Sequence, residues 1–71
     1  MQKYSAKPTE MGWELVDQQS QETVVRTITK DEMFEALDAF MDGKTASVDV
    51  FTRDGKIEEE RPYPGSRHLP A

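Results

Sequence analysis

The sequence predicts a small α+β domain: one amphipathic helix packed on one face of an antiparallel sheet, in the order ββαββ. Three observations carry that prediction. A capping box opens an apolar run at helical spacing over residues 29–43, the β-branched run ETVVRTI precedes it, and VDVFTRDGKIEEE with its Asp-Gly turn follows it. A helix covering one face of an antiparallel sheet is the simple two-layer solution for such elements. It leaves the other sheet face to water or to a partner.

Residues 1–11 are polar, broken by Pro8 and without a clear period, so at most a short edge strand is expected over residues 3–7. In WELVD, Trp13 and Leu15 alternate with Glu14 and Val16; QQSQ reads as a turn, and residues 22–28 are rich in β-branched residues. Residues 12–17 and 22–28 therefore read as a hairpin, with Trp13, Leu15, Val24 and Ile28 on the core face. Thr29 and Glu32 have capping-box spacing, in which each side chain satisfies an orphan backbone donor. Met33, Phe34, Leu37, Phe40 and Met41 then recur every three or four residues as one apolar stripe, and Gly43 suits a left-handed helix end.

TASVDVFT is read as a strand with Val48 and Val50 facing the helix and Phe51 on the opposite face. Two turn geometries are open around Asp54-Gly55. A two-residue loop pairs Thr52 with Ile57 and Val50 with Glu59; a three-residue loop with a glycine bulge pairs Phe51 with Ile57. The first is preferred because it buries Val48, Val50 and Ile57 together. Glu58 and Glu60 then serve as charges that keep an edge strand from pairing with other chains, while Glu59 needs a partner such as Arg26. Pro62 and Pro64 are expected to end the strand. The domain is taken as residues 1–64, with residues 65–71 a flexible tail.

Size and composition limit what such a chain does. Seventy-one residues make one small domain, and the absence of cysteine removes disulfides and thiolate zinc as sources of stability. MQKYSAKPTEMG contains no apolar run that could act as a signal peptide or a membrane span, so a soluble, cytoplasmic protein is expected. Fourteen acids against nine bases give a net charge of −5, the opposite of a phosphate-binding footprint. Basic surfaces on partner proteins suit it better.

Gly12-Trp13 opening a strand, the capped helix, VDVFTRDGKI and the aromatic Tyr63 together resemble a family of very small bacterial and phage domains of unknown function. These share a Gly-Trp strand and a terminal RDGKI hairpin, and the resemblance spans Tyr4 to Tyr63. It implies the α+β fold and carries no catalytic residues.

Catalytic chemistry finds little footing. His68, the one histidine, sits beside Ser66 in the Pro-flanked tail. A general base needs a fixed position within reach of its substrate, and a nucleophile needs an orienting group and an oxyanion pocket. Glu58, Glu59 and Glu60 point alternately to the two strand faces and cannot converge on a metal. No catalytic residue, metal ligand or cofactor is expected.

Two surfaces remain as candidates. Val16, Val25 and Phe51 are expected as an apolar patch on the open sheet face, which on a small domain marks an interface. Asp31, Glu35, Asp38 and Asp42 form an acidic stripe along the helix back, suited to a basic partner. The function expected is that of a small acidic non-enzymatic binding protein, regulatory or inhibitory through protein contacts, with a phage or mobile-element origin suiting its size. A structural subunit or homo-oligomer is one alternative. A nucleic-acid-facing accessory protein using Lys3, Lys7, Arg26, Arg53 and Lys56 is the other.

Overall fold

In a computed structural model of the chain, residues 2–64 are described, except for the side chain of residue 64. The expected tail over residues 65–71, with Ser66 and His68, lies outside the described residues. The elements are β1 (Gln2–Thr9), β2 (Gly12–Asp17), β3 (Thr23–Thr27), α1 (Lys30–Phe40), β4 (Thr45–Phe51) and β5 (Ile57–Pro64). They form a five-stranded sheet in the order β3-β2-β1-β4-β5. The α+β class holds, but the order is βββαββ and the sheet is mixed. β1 pairs parallel to β4, while every other pairing is antiparallel. Parallel neighbours need a crossover, and β2, β3 and α1 supply it by returning the chain to the end where β1 begins.

The segment expected as a weak edge strand is thus the central strand. Its polar look has a cause: Tyr4 and Ala6 fill the helix side, while Ser5 is buried on the other side among its cross-strand neighbours. Pro8 stands beyond Ala6↔Val50, the last β1–β4 pair, so its missing amide costs that ladder nothing.

The core lies between α1 and the sheet. Met33, Leu37 and Met41 from the helix stripe meet Tyr4, Ala6, Leu15, Ala46, Val48, Val50 and Tyr63, with Trp13, Val25, Phe34 and Phe40 packed at the margin. Tyr4 and Phe40 meet edge to face with ring centroids 5.5 Å apart. Cations cover the flanking rings, with Arg61 4.4 Å from the Phe34 centroid and Lys44 4.6 Å from that of Phe40. The capping box forms as expected: Thr29 Oγ1 accepts from the Glu32 amide, and Glu32 Oε1 accepts from the Thr29 amide. The helix ends at Met41, and left-handed Gly43 (φ +81°) sits in the turn closed by Lys44 N donating to Met41 O.

Three placements in the strands differ from expectation. Leu15 pairs with Val25, so Val25 joins Trp13 and Leu15 on the core face, while Val24 and Ile28 are exposed. The regular pairs Trp13↔Thr27 and Leu15↔Val25 set that face; beyond them a register shift pairs Val16 with Thr23 and leaves Val24 as the extra residue. The β4–β5 hairpin combines both turn geometries. Its tip closes through Thr52 N to Lys56 O and Gly55 N to Thr52 O, which pairs Phe51 with Ile57; a bulge at Glu58 then restores Val50↔Glu59. Val48 and Val50 face the helix as expected, but Ile57 is 56 % exposed rather than core. Finally, β5 continues through Pro62 and reaches Pro64. β5 is an edge strand, and residues two apart turn their nitrogens the same way, so both prolines can face away from β4.

Candidate functional site

The expected apolar patch on the open sheet face is not assembled. Val16 does lie on that face but is only 8 % exposed, and Val25 points the other way, into the core. Phe51 is on the open face and half-buried, with Lys7 Nζ 5.9 Å from its ring centroid. Much of this face is polar: in register across the strands run Arg26, Glu14 and Lys7, and then Ser5, Asp49 and Glu60. Gln18 folds over its middle, donating to Ser5 Oγ at 2.8 Å and to Asp49 Oδ2 at 3.2 Å. Asp49, itself 8 % exposed, is thereby held in a local polar cluster.

The acidic stripe is formed. Asp31, Glu35, Asp38 and Asp42 are all exposed on the outer side of α1 and its C-terminal turn. Of the glutamates in β5, Glu58 reaches Lys30 on the helix at 2.8 and 3.0 Å, and Glu60 reaches Lys3 at 3.5 Å. Glu59 is exposed opposite Val50, and Arg26 lies on β3 at the far side of the sheet, out of partnership with it. The five bases of the nucleic-acid reading do not form one basic field, because Lys7 and Arg26 each stand beside Glu14 in the register.

The exposed apolar surface lies elsewhere, at the end of the sheet where β1 turns into β2 and β3 leads into α1. An open groove of roughly 950 Å³ is lined there by Thr9, Glu10, Met11, Trp13, Glu14, Arg26, Thr27, Ile28 and Glu32, and its surface is mainly apolar. Local structure places each apolar member. Thr9 pairs with Gly12, so Glu10 and Met11 form a two-residue turn, and Met11 N donates to Thr9 Oγ1 at 3.2 Å. Met11, at the tip, is 86 % exposed. Trp13, the single tryptophan, is half-buried on the core face at the start of β2.

Gly12 allows this end of the sheet to close. Its φ is +147°, and a Cβ there would collide with the Thr27 carbonyl oxygen and crowd Ile28. β2 and the β3–α1 connection therefore meet backbone to backbone, which brings Met11 and Trp13 beside Ile28. Ile28 directly precedes the N-cap, a position whose side chain often staples onto the fourth helical residue, here Met33. Met33 is wholly buried, yet Ile28 stays 72 % exposed. Its backbone is nonetheless fixed, since Ile28 N donates to Glu32 Oε1 at 3.0 Å.

Sequence alternation alone hides this groove, because it makes Ile28 the last core-facing residue of a strand. The capping-box spacing of Thr29 and Glu32 is the sequence signal that puts Ile28 outside the helix; that Thr27 is the last paired residue of β3 emerges only from the structure.

A second, polar hollow of roughly 400 Å³ lies between Asp38 and the Glu59–Tyr63 segment. Among the described residues, no three His, Cys, Asp or Glu side chains converge as a metal site, and no helix is long and apolar enough to cross a membrane. No protein-family model matches the chain, and neither a curated protein nor a solved structure shows significant similarity to it.

Proposed function

We propose that this is a small non-enzymatic binding protein, regulatory or inhibitory through protein contacts, and that the groove at the Gly12 end of the sheet is its binding surface. The observation that carries the reading is the joint exposure of Met11 and Ile28 beside Trp13 in one groove. Exposing large apolar side chains costs solubility, and a contiguous patch rimmed by polar residues is the usual form of a contact site. Anchors of this kind, with an aromatic floor, dominate the energetics of protein interfaces. The likeness of the Gly-Trp strand and RDGKI hairpin to small bacterial and phage domains suits a mobile-element origin. It adds nothing about activity.

The test is capture from nuclease-treated host lysate with three baits. Ile28→Asp alters the groove, Phe51→Asp the open sheet face, and Glu35→Lys the acidic stripe. A dominant protein retained by the last two baits and lost by the first supports the groove. Loss on Phe51→Asp alone would return the binding site to the sheet face, and loss on Glu35→Lys alone would move it to the helix back.

A further inference from the structure

Taking the groove as the binding site, we propose that its occupant is a cationic amphipathic segment of a partner protein: an aliphatic or aromatic anchor flanked by Lys or Arg. The apolar part of the recognition is set by Met11, Trp13 and Ile28. The charged part is set by the rim, which is lined by Glu10, Glu14, Glu32 and one base, Arg26, with Lys7 next to Glu14 in the β1–β2 register. Arg26 stands directly opposite Glu14 in the β2–β3 register, so that pair is close to neutral. Glu10, at the turn tip, is left as a carboxylate at the mouth.

Glu32, which also lines the groove, spends Oε1 on the Ile28 and Thr29 amides. Lys30 Nζ stands 5.8 Å from the Trp13 ring centroid, but its charge is matched by Glu58 at 2.8 and 3.0 Å. The negative field continues past the rim, because Asp31 and Glu35 extend it along the exposed side of α1. A neutral apolar segment would satisfy the floor and leave the rim unused. An acidic one would meet like charges at Glu10 and Glu32, which is costly across an interface. A free cation without an anchor would leave Met11 and Ile28 in water.

The single tryptophan provides the readout, since Trp13 forms part of the floor. The probes are a short peptide with Leu at its apolar positions and Lys elsewhere, its Glu-for-Lys twin and its Ser-for-Leu twin. Each is titrated into the intact protein at low salt while Trp13 emission is followed. The Lys/Leu peptide should shift the emission saturably and bind at least about tenfold more tightly than the Glu/Leu twin, the size expected from two or three rim charges. The Ser/Lys twin should bind weakly, and Met11→Asp should abolish the Lys/Leu response. In Glu10→Gln/Glu14→Gln protein the preference for Lys should shrink towards equality, as it should at high salt.

Equal or reversed preference, with binding still dependent on Met11, would overturn the cationic partner and leave the groove as the site. Binding of the Lys/Leu peptide that ignores Met11→Asp would overturn it too, by showing only attraction to the acidic surface. No Trp13 response to any peptide would count against both the partner chemistry and the groove.

Discussion

Gly12 holds the groove together at a single position. With φ at +147° and Thr27 O lying where a side chain would begin, an alanine there meets both a strained backbone and a carbonyl wall. Gly12→Ala is expected to cost more than about 2 kcal/mol, measured by denaturant unfolding. Gly43 and Gly55 have open space around the same position, so their replacement carries only the left-handed strain. Other residues set the pH response. The amide of Gln19, then the Gln2 side chain and the Ser20 amide, hold the Asp17 carboxyl below its ordinary range. The Thr52 hydroxyl, 2.6 Å away, does the same for Asp54. A carboxyl with a depressed folded value stabilises the fold above its unfolded value and loses that contribution as pH falls through the folded one. Tyr4 is the converse: burial first, and Asp17 second, push its phenol above its ordinary value. Its contribution is complete below the unfolded value and is lost as pH rises through the folded one. Stability should therefore fall at both extremes, and Asp17→Asn and Tyr4→Phe should flatten the acid and alkaline limbs respectively in thermal melts across pH.

Elements differ in how much of their placement their own residues carry. The helix was legible from Thr29, Glu32 and the Met33–Met41 stripe, because capping and a 3.6-residue period are local. It also carries the core: Leu37 is wholly buried, and Leu37→Ala is expected to cost about 2–5 kcal/mol by denaturant unfolding, comparable with the whole stability of so small a domain. An unchanged midpoint would show that the helix face is misassigned. Strand existence was legible for β2, β3, β4 and β5, but register was not. The Leu15↔Val25 pairing puts Val25 and not Val24 on the core face, one bulge beside Val16 leaves Val24 unpaired, and another at Glu58 turns Ile57 out to solvent. Bulges answer to neighbouring strands and leave little mark on composition. β1 was the largest departure. QKYSAKPT lacks the apolar run of a central strand because small and mixed residues, Ala6 and Ser5, suffice where other strands and the helix bring the bulk.

For the whole molecule, the parallel β1–β4 pair sets where function can sit. It aligns the starts of β1 and β4 at one end, with the β2–β3 turn and the α1–β4 turn. The opposite end collects the Glu10-Met11 turn, Ile28 and the Asp54-Gly55 hairpin, and Met11, Ile28 and Ile57 are exposed there, while Val24 is exposed near the start of β3. The candidate site was therefore only partly legible: the acidic stripe follows from helical spacing, but the groove joins two turns that only the sheet order brings together. The most direct measurement is amide hydrogen exchange of the protein alone and bound to the partner it captures, since a partner slows exchange where it covers or steadies the backbone. Added protection over residues 9–14 and 26–29 is the predicted result. Protection confined to the outer face of α1, or to β4 and β5, would contradict the groove as the binding surface.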